Sequence, residues 1–242
     1  MKKNLLIVGL MLALSLTASA QNEGFAFGFK VGPNLGWTGS TTGAAVNVGT
    51  KAGFDLGVVA EYYFADNYAL VSGINVDFLR GHYTFTNARM DSVANVVTYS
   101  VERVYKSTLY EIPLMLKMVT NELGDAPLRV YAQVGGGIGY AQKVKVKDGY
   151  DGAAMSDEWG TTNKEFSNIR VSLKAGAGVQ YSIDESTRLF AGLYFSHDLL
   201  NNINSISPNH YKYYDGNKQL GEREKKLNVL QNRLGLELGI LF

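Results

Sequence analysis

The sequence contains no cysteine and only four prolines among its 242 residues. The absence of cysteine excludes a disulfide framework, a cysteine-ligated metal and a lipidated N-terminal cysteine. After the N-terminal segment there is no long uncharged apolar run, so the sequence predicts no membrane-spanning helix. The formal net charge of +1 is too small to indicate nucleic-acid binding, and we expect no nucleic-acid partner.

The first 20 residues have the features of a secretory signal peptide. Two lysines precede an apolar stretch over 5–16, and Ala-Ser-Ala at 18–20 suits signal peptidase cleavage. The apolar stretch is too short to span a bilayer, which disfavours the alternative of a membrane-anchoring helix. We therefore predict a signal peptide over 1–20 and one exported domain over 21–242. Removal of the two lysines changes the formal charge from +1 to −1.

Apolar residues recur at every second position along most of the chain, and glycine (27 residues) and tyrosine (15 residues) are abundant. This alternation predicts β-strands with one apolar face and one polar face. Most of the strands have about ten residues, the length that a tilted strand needs to cross a bilayer. The predicted strands lie near 24–36, 51–64, 68–78, 109–118, 128–140, 168–181, 188–195 and 227–242.

The connections between these strands alternate between long and short. The long connections are 37–50, 81–106, 142–165 and 197–226, and the short ones are 65–67, 121–127 and 184–186. This pattern is typical of outer-membrane barrels, which have short periplasmic turns and long outer loops. The sequence therefore predicts an all-β fold: an eight-stranded antiparallel up-and-down transmembrane β-barrel in the cell outer membrane, with both termini on the periplasmic side.

A soluble sandwich or lipocalin-like barrel is the main alternative, because its strands also alternate. Three features favour the membrane. The face opposite the apolar one is rich in glycine and charge. Aromatic residues gather near strand ends, and a barrel closed in lipid has no free edge, which explains a strand that reaches the last residue. The strand-end aromatics are Tyr62, Phe64, Tyr68, Tyr110 and Phe242.

The polar face of the predicted barrel carries charges of both signs. An eight-stranded barrel has an interior just wide enough for side chains, and charges removed from water must be paired. We therefore predict an ion-pair network that plugs the interior. A selective pore is the alternative, disfavoured by the narrow lumen. The predicted network consists of the cations Lys30, Lys117, Arg170, Lys174, Arg188 and Arg233 and the anions Asp55, Glu61, Asp77, Glu111 and Glu237.

Four stretches, GFKVGPNLG, LYEIPLMLK, LFAGLYFSHDLLNNI and LGLELGILF, resemble the PorT-like outer-membrane β-barrel family of Bacteroidetes. The first matches the family's G-x-K-x-G-x-N-like strand at 28–34, and the second its EIPLLLK-like strand at 111–117. The third has the aromatic-Ser pair at 195–196 and the Asn-Ile pair at 202–203, but Leu193-Tyr194 replaces the usual Arg-Tyr. The resemblance implies an eight-stranded outer-membrane barrel, and the family's name suggests a role in a secretion system.

The last strand has the form of an assembly signal. Outer-membrane barrels of this kind end in an alternating apolar strand with a final aromatic residue, which the barrel-assembly machinery recognises. The alternative is that these residues only face lipid. We therefore expect outer-membrane lipid, the barrel-assembly machinery and periplasmic chaperones as partners. The candidate signal residues are Leu234, Leu236, Leu238, Ile240 and Phe242.

No group of residues predicts catalysis. GGGIG at 135–139 lacks the third glycine of a phosphate loop, since Tyr140 occupies that position, and no helix follows. The adjacent Ser196, His197 and Asp198 alternate between strand faces and cannot form a relay. We therefore predict no catalytic, cofactor or metal site. An outer-membrane lipid-modifying enzyme remains an alternative, with His197 as its rim candidate.

The outer loops are the predicted place of any binding function. Trp159 lies between the fifth and sixth predicted strands, and Tyr211, Tyr213 and Tyr214 lie between the seventh and eighth. Loop aromatics bind proteins or glycans in some interfaces, but in others they pack loop against loop. The sequence therefore predicts a non-catalytic barrel with a structural, surface-binding or secretion-associated role, and leaves a lipid-modifying enzyme and a small-solute pore as alternatives.

Overall fold

The computed structural model describes residues 24–40, 45–90, 96–152, 154–161, 165–203, 210–215, 218–224 and 228–242. Within these residues the chain forms twelve β-strands, and no helix there is long and apolar enough to cross a membrane. The predicted signal peptide over 1–20 lies outside the described residues.

The strands follow one another in simple antiparallel order. They are β1 (Phe25–Gly39), β2 (Ala45–Asn47), β3 (Lys51–Ala65), β4 (Tyr68–Met90), β5 (Val96–Val119), β6 (Leu128–Tyr150), β7 (Gly160–Thr161), β8 (Ile169–Ser182), β9 (Arg188–Asp198), β10 (His210–Asp215), β11 (Lys218–Glu224) and β12 (Leu230–Leu241). Eight of them close a barrel in the order β1-β3-β4-β5-β6-β8-β9-β12, and β12 pairs back to β1. The predicted eight-stranded antiparallel barrel is confirmed. The short β2 and β7 add to β4 and β6, and β10 pairs with β11.

One end of the barrel has short turns and carries both the start of β1 and the end of β12. In the turn after β8, Asp184 accepts hydrogen bonds from the backbone N–H groups of Ser186 and Thr187 at 2.9 and 2.7 Å. These bonds lower the pKa of Asp184 below its ordinary value of 3.8. At the same end the backbones of Phe27 and Phe242 exchange hydrogen bonds of 2.7 and 3.1 Å. Short turns mark this end as periplasmic.

The opposite end extends further than expected. The predicted long loop over 81–106 is wrong, because β4 and β5 remain paired from Arg80 and Lys106 up to Met90 and Val96. The boundary of the predicted 142–165 loop is also wrong, since β6 continues to Tyr150. The predicted connections 37–50 and 197–226 contain β2 and the β10–β11 hairpin. The strands continue because apolar residues still alternate above the membrane and bury one face in the barrel.

Within the eight-stranded wall, the apolar face points outward and the charged face inward. Phe54 and Leu236 are 41% and 46% exposed, whereas Asp55 and Glu111 are each 2% exposed. A soluble barrel would have the opposite arrangement, with apolar residues inside. The inverted arrangement is that of a transmembrane β-barrel.

Candidate functional site

The middle of the barrel interior is a layer of buried ion pairs that joins four strands. Arg233 on β12 places Nη1 2.7 Å from Oδ2 of Asp77 on β4, and its Nη2 donates to Oγ of Ser196 at 2.9 Å. Lys174 on β8 donates to Glu111 on β5, which also accepts from Ser172 at 2.6 Å. These residues come together because each occupies an inward position of its strand at about the same height.

A second layer lies nearer the periplasmic end. Nζ of Lys117 is 2.5 Å from Oε1 of Glu61, and both side chains are 2% exposed. Tyr63 donates to the other carboxylate oxygen of Glu61 at 2.7 Å. Among the described residues, Arg188 forms no ion pair with a carboxylate. Its Nη1 donates to Oη of Tyr63 at 3.0 Å, and its guanidinium lies over the Tyr63 ring.

The remaining predicted charges also lie inside. Nζ of Lys30 is 3.6 Å from Oε2 of Glu237, which accepts from Oη of Tyr131 at 2.9 Å through its other oxygen. Asp55 accepts from Oη of Tyr194 at 2.7 Å and from Nδ2 of Asn34 at 3.2 Å. Tyrosines thus supply several of the polar contacts, which the two-residue pattern does not reveal because tyrosine also fits an apolar face.

Sequence reasoning missed the partner of Arg170. Nη1 of Arg170 is 3.0 Å from Oδ2 of Asp198, which also accepts from Nδ2 of Asn202 at 2.8 Å. The predicted seventh strand stopped at Phe195, whereas β9 continues to Asp198. Extending the alternation past Phe195 would have placed Asp198 on the inward face.

One apolar cluster lies on the outer side of the charges, and a second packs around the periplasmic ion-pair layer. The outer cluster consists of Ala45, Tyr83, Phe85, Val101, Tyr105, Val144, Phe166, Ile203 and Val229, and the periplasmic cluster of Ala26, Val59, Val71, Met115, Val119, Tyr131, Phe190 and Leu241. A cavity of about 40 Å³ remains among the charged side chains, enough for a few water molecules. The arrangement fills the lumen with side chains.

The outer cluster contains a further charged group that sequence reasoning missed. Nε and Nη2 of Arg103 each donate to a carboxylate oxygen of Asp148 at 2.7 Å, and Nη1 is 2.6 Å from Oε2 of Glu165. Burial alone would lower the pKa of Arg103, but the hydrogen bonds to Asp148 and the nearby negative charges of Asp148 and Glu165 together raise the pKa above its ordinary value. The three residues escaped prediction because their segments were expected to be loops.

The described side chains do not assemble catalytic chemistry from the candidate triad. Ser196 and Asp198 are buried inside the barrel, whereas His197 lies on the other face with Nδ1 2.6 Å from Oδ1 of Asn232. Among the described residues no group of three His, Asp or Glu side chains is placed to hold a metal ion. The GGGIG stretch lies in β6, where a Cβ on Gly137 would overlap Oε1 of Glu111. Glycine there makes room for the central carboxylate.

The candidate assembly signal forms the outward face of β12. Leu234, Leu236, Leu238 and Phe242 are 38–49% exposed and Ile240 is partly exposed. Trp159 lies outside the barrel, where the centroid of its ring is 3.9 Å from Nζ of Lys106 and 5.3 Å from Nζ of Lys147. Tyr211, Tyr213 and Tyr214 belong to β10, but their side chains lie outside the described part of the structure.

Comparison with known proteins agrees with this geometry. Residues 8–221 match the model of the outer membrane protein beta-barrel domain. The chain belongs to this family. Membership of this family and the outward apolar face of the barrel together place the protein in the cell outer membrane.

Several solved structures of outer-membrane proteins are similar to this outer-membrane barrel. Neisserial surface protein A is 16% identical with a TM-score of 0.40, over 89% of this chain and 97% of that one. The N-terminal β-barrel domain of OprF from Pseudomonas aeruginosa is 13% identical with a TM-score of 0.38, over 90% and 99%. The outer membrane protease OmpT from Escherichia coli is 7% identical with a TM-score of 0.32, over 92% and 97%. No curated protein sequence matches the chain.

Proposed function

We propose that this outer-membrane barrel is a closed, non-catalytic anchor that holds the outer ends of β4, β5 and β6 above the membrane for surface binding. The observation that carries the proposal is the filled interior, in which buried ion pairs and two apolar clusters occupy the lumen. A barrel whose interior is filled in this way is rigid and blocks the passage of solutes, so any binding surface lies on its outside.

The filled interior supports a non-conducting role. Opening a path would require separating pairs such as Arg233 with Asp77 and Lys117 with Glu61, in which each side chain is at most 3% exposed. Breaking such a pair costs about 3–5 kcal/mol, because it leaves an uncompensated buried charge. Several pairs would have to break together for an ion to cross.

The long strands support a role outside the membrane. β4, β5 and β6 have 23, 24 and 23 residues, about twice the number needed to cross a bilayer. From Arg80 to Met90 the strand continues for about 30 Å along its own direction. An ordered projection of this length presents a fixed surface to molecules outside the cell.

Conductance and site-specific cross-linking test the proposal together. The full chain in a planar bilayer is expected to give no steady current. A photo-cross-linker at Tyr150, 53% exposed on the outer projection, is expected to capture a partner that the same group at Ile183, 56% exposed in a periplasmic turn, does not. A steady current, or identical products from the two positions, would contradict the proposal.

We extend the proposal to a PorT-like, secretion-associated partner, which the sequence resemblance alone supports. Deleting the gene is then expected to reduce secretion of exported proteins, with recovery when the full chain is restored. Unchanged secretion would remove this extension and leave the anchor role standing.

The proposal that the barrel is not an enzyme is tested by mass spectrometry of lipid A from cells with and without the protein. Any difference in the mass of lipid A would argue for a lipid-modifying enzyme.

We also propose that assembly proceeds through periplasmic chaperones and the barrel-assembly machinery. The outward apolar residues at alternate positions from Leu234 to Phe242 support this step. Before the barrel closes, they form one continuous apolar face that the assembly machinery can recognise. Surrounding outer-membrane lipid then covers the same residues.

A further inference from the structure

A row of three cations crosses the outer face of the barrel just above the membrane. Arg80 on β4 is in register with Lys106 on β5, and Lys106 is in register with Lys145 on β6. Neighbouring strands lie about 4.8 Å apart, so the row spans about 10 Å. Arg80 and Lys145 are exposed and Lys106 is partly exposed, which leaves the row open to the surroundings.

The row lies at the height of lipid headgroups. Two residues below Arg80, Phe78 is 44% exposed and faces lipid. The outward Tyr110 and Tyr140, which are in register with each other, lie one step further down and are 44% and 52% exposed. Two residues of a strand cover about 7 Å, and a headgroup layer is about 5–8 Å thick on each side of the hydrocarbon. The cations therefore begin where the apolar belt ends.

Within the described part of the chain, these cations have no anionic side-chain partner. Among the residues that the structure describes, neither the row nor the adjacent Lys147 takes part in an ion pair. Asp157 and Glu158 precede Trp159 and are exposed. The contact with Lys147 is made by the backbone oxygen of Asp157, which accepts a hydrogen bond from Nζ at 2.6 Å, and not by its carboxylate. Like charges opposite one another on neighbouring strands destabilise a sheet, so an external anion would relieve the repulsion.

Trp159 completes the patch. β7 pairs with β6 and begins directly after Trp159, which places this residue beside the row. Nζ of Lys106 lies 3.9 Å from the centroid of the Trp159 ring. Tryptophan favours the interface between lipid and water. The other side of the barrel differs, because Trp37, Asn232 and His197 stand in register there and supply no row of lysine or arginine.

We propose that Arg80, Lys106 and Lys145, flanked by Lys147 and Trp159, form a binding site for the phosphate group of a phosphorylated lipid in the outer leaflet. The lipid chains lie against the apolar belt below the row, and the phosphate accepts hydrogen bonds from the guanidinium and ammonium groups. Each basic residue near an anionic membrane surface contributes about 1 kcal/mol, which corresponds to about five-fold in affinity.

Native mass spectrometry of the full chain in non-ionic detergent tests the site. The probe is monophosphoryl lipid A, with the same lipid after enzymatic removal of its phosphate as the matched comparison. The wild-type chain is expected to bind the phosphorylated lipid more tightly. The triple variant R80Q/K106Q/K145Q is expected to lose about 100-fold in affinity, from about five-fold for each cation.

Two control variants separate charge from location and folding. R80K/K106R/K145R keeps the charges at the same positions and is expected to retain binding within about two-fold. Arg129→Gln removes a partly exposed cation at the periplasmic rim and is expected to leave binding unchanged. Equal binding by the wild type and the glutamine variant, or equal binding of the two lipids, would overturn the site. Displacement of the lipid by excess inorganic phosphate would show that the site takes free phosphate instead.

Discussion

Replacing Lys117 by methionine is expected to destabilise the barrel, because the change leaves a buried carboxylate without its cation. Lys117 and Glu61 are each 2% exposed, and their charged atoms are 2.5 Å apart. Removing one partner of such a pair costs about 3–5 kcal/mol. Tyr63 still donates to Glu61 at 2.7 Å, so we expect the lower end of this range, about 3 kcal/mol. Methionine has a similar length, which keeps the contribution of lost packing small.

The double variant E61Q/K117M distinguishes loss of charge balance from loss of packing. With both charges removed, no unpaired ion is buried, and the free energy of unfolding is expected to recover by about 2 kcal/mol relative to K117M. The measurement is urea unfolding in phospholipid vesicles, followed by tryptophan fluorescence and by the mobility difference between folded and unfolded barrels on gels.

An ion pair that is more exposed to solvent provides the control. Arg129 and Glu122 are 3.8 Å apart with side chains 31% and 49% exposed, so Arg129→Met is expected to cost less than about 1 kcal/mol. A K117M variant as stable as R129M would refute the reasoning. The reasoning would also be refuted if the losses of stability from E61Q and K117M were additive in the double variant, because the effects of two directly paired buried charges are expected to depend on each other.

Three further outcomes are expected. Asp184→Asn should destabilise the barrel at neutral pH, and in pH-dependent unfolding this cost should shrink as pH falls below 3.8, because a lowered pKa stabilises only while the carboxylate is ionised; a cost that grows in acid would contradict this. Gly235→Ala should cost about 1–3 kcal/mol in urea unfolding, since its Cβ would lie 2.5 Å from the Tyr194 ring; an unchanged midpoint would show that the ring moves freely. Deleting Phe242 should slow folding into vesicles, measured by gel mobility, because it removes two backbone hydrogen bonds to Phe27; unchanged kinetics would oppose this.

The sequence predicted the strands that cross the membrane and the face that each side chain occupies. Apolar residues occupy every second position in segments such as 51–64, and the glycine and charge on the opposite face favoured a barrel with apolar residues facing lipid and charges inside. The ends of the strands were less predictable. Tyr83, Phe85, Val101 and Tyr105 alternate beyond the membrane too, but a periodic segment of this kind is recognisable as a strand only when its partner strand is known.

The sequence by itself placed charges such as Lys117 and Glu61 on the face opposite the apolar one, because alternation assigns a residue to a face without reference to any other strand. The structure shows that this face lines the interior. Only the tertiary structure decided which charges meet. The partner of a side chain depends on strand order, register and tilt, and these bring together residues as distant as Asp77 and Arg233, or Arg80 and Lys145. The same registers joined Arg170 to an aspartate beyond the expected end of its strand and aligned three cations at the membrane surface.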